Sequence, residues 1–137
     1  MIFETSIRTT IIDNKGNNKS ITSRYIVENA DLFSEVESKL YEKFGNETDF
    51  EVTGIKISKL KEIVNKPPQG EYKIYFATIC DHFITEEGDD KELKYVVALH
   101  AGDINEAHQT VKHYMQQGLE DMELVAIKET KVKSVLR

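Results

Sequence analysis

Two short runs hold the residue types best placed to do chemistry. Ile55-Lys56-Ile57-Ser58-Lys59-Leu60-Lys61-Glu62-Ile63 and Ile127-Lys128-Glu129-Thr130-Lys131-Val132-Lys133-Ser134-Val135 both read I-K-x-[ST]-K-[LV]-K-x-[IV]. Lys56, Lys59 and Lys61 are thus matched by Lys128, Lys131 and Lys133. Two equivalent basic strips of this kind can grip phosphates through charge-assisted hydrogen bonds. Alternating lysines also blunt an exposed strand edge and keep it from pairing with other chains. Surface charge need not survive the divergence of two copies, so the match at all three positions speaks for binding.

The soft-metal donors are few. Cys80 and His82 fall on the same side of one strand, and His100 lies near the end of the neighbouring hairpin strand, a conceivable metal set. His108 and His113 are five apart, off the i, i+4 spacing that shares a helix face. Ordinary surface or half-buried histidines account for all four, so no metal site and no cofactor is assigned.

Catalytic signatures are missing. The chain has no G-x-S-x-G, no phosphate-cradling glycine loop, no C-x-x-C and no H-E-x-x-H. Glu86, Glu87, Asp89 and Asp90 cluster in a turn, where carboxylates are normally just solvated. No catalytic residue is assigned. Tyr25, Tyr41, Tyr72, Tyr75, Tyr95 and Tyr114 could stack on bases, but their strand and helix positions favour packing.

The elements that must position these groups read clearly. Alternation at Phe3, Thr5, Ile7, Thr9 and Ile11 predicts a strand over 2–12, the cluster 13–18 a turn, and 20–27 a return strand. Phe33, Val36, Leu40 and Phe44 then share one helical face, with Asp31 as the cap and Gly45-Asn46 as the stop. Phe50, Val52 and Ile55 mark a third strand, with a bulge at Gly54. The order then recurs. Tyr72, Ile74, Phe76 and Thr78 alternate, 86–90 turns, and 94–99 returns. Asp103 and Glu106 form a capping box, Ile104, Ala107, Val111 and Met115 repeat the helical face at a constant offset of 71, and Gly118 ends the helix. Met122, Leu124 and Ile127 close the second copy.

The expected fold is α+β: two tandem β-β-α-β repeats, 1–66 and 70–137, joined near Pro67-Pro68 in a single compact domain and related by a pseudo-two-fold axis. Half of such a unit cannot hide its own apolar faces, which predicts a core shared between the repeats. The 137 residues suffice for one ordinary domain. A net charge of −6, with 13 acidic and 8 basic side chains in residues 67–137, disfavours nucleic-acid binding driven by overall charge. No apolar run approaches the roughly 20 residues of a membrane span, and the N-terminus lacks a secretory signal. One cysteine fits a reducing cytoplasm, which makes the sequon Asn46-Glu47-Thr48 a chance match.

The Phe3-Glu4 and Tyr25-Ile26-Val27 strands, the helix start Ala101-Gly102-Asp103-Ile104-Asn105-Glu106-Ala107 and the closing Ile127-Lys128-Glu129-Thr130-Lys131-Val132 resemble an uncharacterised domain-of-unknown-function family of small proteins from gut bacteria and their phages. Glu28 to Phe33 is one residue longer than the family's pattern. The resemblance carries no activity, but its phage association implies a module that sequesters a host signalling nucleotide or blocks a host protein.

Three functions follow in order of preference. The first is a non-enzymatic binding module whose six motif lysines hold an anionic ligand, nucleotide-like or nucleic acid. The second is a structural, assembly or inhibitor module that meets a partner chain, a second copy included, through exposed sheet edges. A hydrolase assembled from distant residues is the third.

Overall fold

The computed structural model describes residues 1–45, 49–118 and 121–137. Its elements run β1 (Phe3–Ile12), β2 (Asn18–Val27), α1 (Phe33–Phe44), β3 (Glu51–Ile57), β4 (Leu60–Ile63), β5 (Lys73–Ile84), β6 (Asp90–Ala101), α2 (Ile104–Gln116), β7 (Asp121–Glu129) and β8 (Val132–Leu136). The protein is α+β, and the β-β-α-β order occurs twice. Each repeat adds one more strand, β4 or β8, made from its lysine-bearing tail.

These tails change places. One compact unit is Met1–Ser58 together with Lys131–Arg137, and the other is Lys59–Thr130. The first unit's sheet has the order β3-β1-β2-β8 and the second's β4-β6-β5-β7. Each sheet is thus completed by the tail of the other repeat. Both tail strands pair in parallel with the second strand of the hairpin they join, β8 with β2 and β4 with β6. Pro67 and Pro68 fall between β4 and β5, inside the second unit.

In the first unit, β1 and β2 form an unbroken hairpin from Phe3↔Val27 to Ile12↔Asn18. Asp13 closes its turn: Lys15 and Asn17 each donate a backbone N–H to Asp13 Oδ1 at 2.9 Å. Gly16 takes the left-handed conformation there, φ 80°, where glycine has no side chain to clash. The expected bulge at Gly54 is present, since Ser6 faces Gly54 while Ile7 faces Val52, leaving Thr53 as the extra residue. Phe3, Ile7, Val27, Val36, Leu40 and Phe44 form the core with Leu136 of β8 against it.

The second unit repeats this register. β5 and β6 pair from Lys73↔Ala101 to Ile84↔Asp90. Thr78 faces Ala126 and Ile79 faces Leu124, so Val125 is the extra residue of the equivalent bulge. Its core contains Tyr75, Ala77, Ile79, Val97, Leu99, Ala107 and Val111. Among the described residues each unit has a cluster of buried side chains around its own helix.

The helix starts also differ from expectation. Asp103 caps α2, accepting the Glu106 N–H at 2.8 Å, and Glu106 Oε2 accepts the Gly102 N–H at 2.9 Å. In α1 the N-cap position is Leu32, with no side-chain cap, and Asp31 instead donates its own N–H to Glu35 Oε2 at 3.1 Å. The extra residue before α1 moves Asp31 out of the capping position. Asn29, at φ 62°, absorbs it in the left-handed region that Asn tolerates. Gly45 follows α1 as its C-cap, whereas Asn46 and the sequon at 46–48 lie outside the described residues. No described helix is long and apolar enough to cross a membrane.

Candidate functional site

Each lysine run begins on one sheet and ends on the other. Lys56 lies on β3 and Lys128 on β7, at equivalent places after the bulge. Backbone bonds then turn the chain: Ser58 donates to the Ile2 carbonyl and Thr130 to the Ile74 carbonyl, both at 2.9 Å. Lys59 and Lys131 occupy the crossovers that follow, and Lys61 and Lys133 lie on β4 and β8.

All six motif lysines are exposed, and β3, β8, β4 and β7 are the four outer strands of the two sheets. Every free sheet edge therefore carries one motif lysine. Lys133 marks an irregularity in its edge, since Arg24 faces Val132 while Tyr25 already faces Ser134. Lys61 sits at the corresponding irregularity between Leu60 and Ile63. Bulged edges bearing lysine resist pairing with further strands.

The lysines are also largely uncommitted. Lys61 Nζ lies 4.1 Å from the Tyr95 ring centroid, a cation–π contact. Among the described residues, Lys56, Lys59, Lys128, Lys131 and Lys133 make no ion pair, unlike Lys73, which meets Glu129 at 2.7 Å.

The histidine and cysteine donors sort differently from the sequence expectation. His100 is buried beside β4. Its backbone N–H donates to Asn65 Oδ1 at 2.7 Å, Asn65 Nδ2 returns to its carbonyl at 2.8 Å, and Tyr72 packs edge-on against its ring. His100 faces Ile74, six positions along β5 from Cys80, a distance of about 20 Å at the rise of a strand. It cannot join Cys80 and His82.

Glu92 takes that place. Donor atoms of Cys80, His82 and Glu92 all lie within 4.8 Å of one another. Register explains the cluster: on one sheet face His82 is opposite Glu92 on β6 and Asp121 on β7, while Cys80 is opposite Lys94 and Glu123. His82 Nδ1 is 3.5 Å from Glu92 Oε1, and its Nε2 is 3.5 Å from Glu123 Oε2. Cys80 is buried. Burial pushes its thiol pKa up, Glu92 and Glu123 add to the rise, and Lys94 opposes it. A cleft of about 800 Å³ opens beside His82, Asp90, Glu92 and Asp121. Sequence reasoning found Cys80 and His82 by their i, i+2 spacing, but Glu92 is ten residues on and reaches them only through the hairpin register.

A family model spans residues 1–137 of the chain. The chain belongs to the domain of unknown function DUF4494. No curated protein and no solved structure matches it. Membership in DUF4494 accounts for the full-length resemblance and assigns no chemistry to either the lysines or the Cys80 cluster.

Proposed function

We propose that this DUF4494 protein is a non-enzymatic binding module that holds an anionic ligand, nucleotide-like or nucleic acid, through its duplicated lysines. One observation carries the reading. In a chain of net charge −6, five exposed motif lysines stand at matched positions of two units without an ion pair among the described residues. Uncommitted ammonium groups meet phosphate oxygens at no cost in broken salt bridges. A cytoplasmic site of action, and a host nucleotide as the ligand, belong to this reading.

The second reading is a partner chain added to a sheet edge. It has β3 and β7 as its longest edges, but the lysine on each weakens it.

The test is binding of a fluorescent oligonucleotide and of polyphosphorylated nucleotides across a salt series. The expected result is affinity that falls steeply with salt and drops about tenfold or more when Lys59, Lys61, Lys131 and Lys133 all become Gln. Affinity unchanged by the four substitutions refutes the lysine role, and salt-independent capture of a polypeptide supports the edge reading.

A further inference from the structure

We infer that Cys80, His82 and Glu92 form a zinc site on the face of the second sheet turned away from its helix, with Glu123 orienting the histidine. This goes beyond the lysine reading and is independent of it.

The donor set comes first. A thiolate sulfur, an imidazole nitrogen and a carboxylate oxygen suit zinc, a borderline-soft ion that takes all three. The hard ions magnesium and calcium prefer oxygen alone. A tetrahedral zinc places its donors about 3.3 to 3.8 Å apart. The donors here already lie within 4.8 Å, so rotation of the exposed Glu92 side chain, with a small turn of His82, closes the set. The ring then has its second nitrogen free. With Nδ1 on the metal beside Glu92, Nε2–H donates to Glu123 Oε2 at 3.5 Å, the carboxylate–histidine–metal arrangement that fixes a ligand ring. The cleft beside His82 and Glu92 gives the ion a route from solvent and room for a water as fourth ligand.

The duplication supplies a second, independent observation. The position equivalent to Cys80 in the first unit is Arg8, and the one equivalent to Glu123 is Glu51; Arg8 faces Glu51 as Cys80 faces Glu123. Arg8 Nη2 pairs with Glu51 Oε2. The first unit thus answers the edge glutamate with a fixed cation. In the second unit a thiol stands in place of that cation and a histidine lies two residues on, while Glu92, Asp121 and Glu123 outnumber Lys94 among the residues directly opposite Cys80 and His82. A bound dication restores the balance that Arg8 provides in the other unit.

The test uses full-length reduced protein, stripped with chelator and titrated with cobalt(II), with zinc as competitor. The expected result is one equivalent bound, a thiolate-to-cobalt charge-transfer band in the near ultraviolet, intense visible bands of a tetrahedral ion, and displacement by zinc. Cys80→Ser abolishes the charge-transfer band. Because Cys80 is buried and its variant could lose structure, the exposed Glu92→Gln and Glu123→Gln serve as folded controls, checked by circular dichroism. Glu92→Gln, which loses a ligand, weakens binding more than Glu123→Gln, which weakens it about 10- to 100-fold while leaving the band in place. Absence of a thiolate band at one equivalent overturns the site. So does a band that Glu92→Gln and His82→Gln leave unchanged, since the ion is then held elsewhere.

Discussion

The two units share strand order, register, bulge position and crossover hydrogen bond, yet they fill that frame differently. The first packs rings: Tyr25 lies 4.8 Å from Phe44, Phe44 5.8 Å from Phe50, and Phe3 5.5 Å from Phe33, centroid to centroid. The second packs mainly aliphatic side chains around Tyr75. On the first, Arg8 and Glu51 make an ion pair where the second collects Cys80, His82, Glu92 and Glu123. Features that fix the backbone path have been kept in both copies, whereas side chains that only fill or cover it have diverged. The motif lysines recur in both copies along with these backbone features.

Removing residues 132–137 is the largest test of this comparison. It strips β8 from β2, uncovers Val27 and deletes Leu136, with an expected loss of more than about 3 kcal/mol. Hydrogen exchange should show β1, β2 and β3 losing protection well before β5, β6 and β7. Equal loss throughout breaks the picture of two units that open independently.

Cavity mutants sharpen it. Leu40 and Val111 occupy equivalent, fully buried helix positions. Leu40→Ala should cost about 2 to 5 kcal/mol by urea denaturation. Val111→Ala, which removes less, should cost about 2 kcal/mol. Asp81 offers a gain. Its Oδ1 is buried without a hydrogen-bond partner among the described residues, and the first unit has Thr9 at that position. Asp81→Thr should therefore stabilise by about 1 to 3 kcal/mol, and a loss instead would reveal a role for the carboxylate.

The helix caps give a smaller contrast. Asp103→Ala should cost about 1 kcal/mol, while Asp31→Ala, whose side chain caps nothing, should leave the melting temperature nearly unchanged. The smallest effect is alkaline. Tyr114 donates its hydroxyl to Glu62 Oε1, and burial, then that hydrogen bond, raise its pKa. A raised phenol pKa adds stability that is complete below the ordinary value near 10 and is lost as pH climbs toward the folded-state value. Tyr114→Phe should be less stable than wild type at pH 8 and lose less on going to high pH, a dependence readable in denaturation midpoints.

Much of this frame was legible. Strict alternation at Phe3 to Ile11, the helical spacing of Phe33 to Phe44 and the slip at Gly54 are local patterns, and each produced the expected element. Strands β4 and β8 were not legible, because Leu60-Lys61-Glu62-Ile63 has no periodicity of its own and pairs in parallel with a strand of the other repeat. Asp31 misled as a cap because one residue inserted after β2 shifts the helix start without changing composition. At the candidate sites, the lysines and the Cys80–His82 pair were visible as types and spacing. Their edge placement, and the arrival of Glu92, depend on pairings made across the sheet.

The exchange of tails also sets an order of events during synthesis. Residues 59–130 form one continuous stretch, so the second unit has every strand it needs before β8 has been made. The first unit's hairpin is made before the second unit, yet β2 waits for β8, about a hundred residues later, and pairings of such long range are slow to form. Until then β2 is a bare edge holding Ile26 and Val27. The nascent chain is thus most open to aggregation, or to capture by a chaperone, through β2, and synthesis of β8 is the step that closes it.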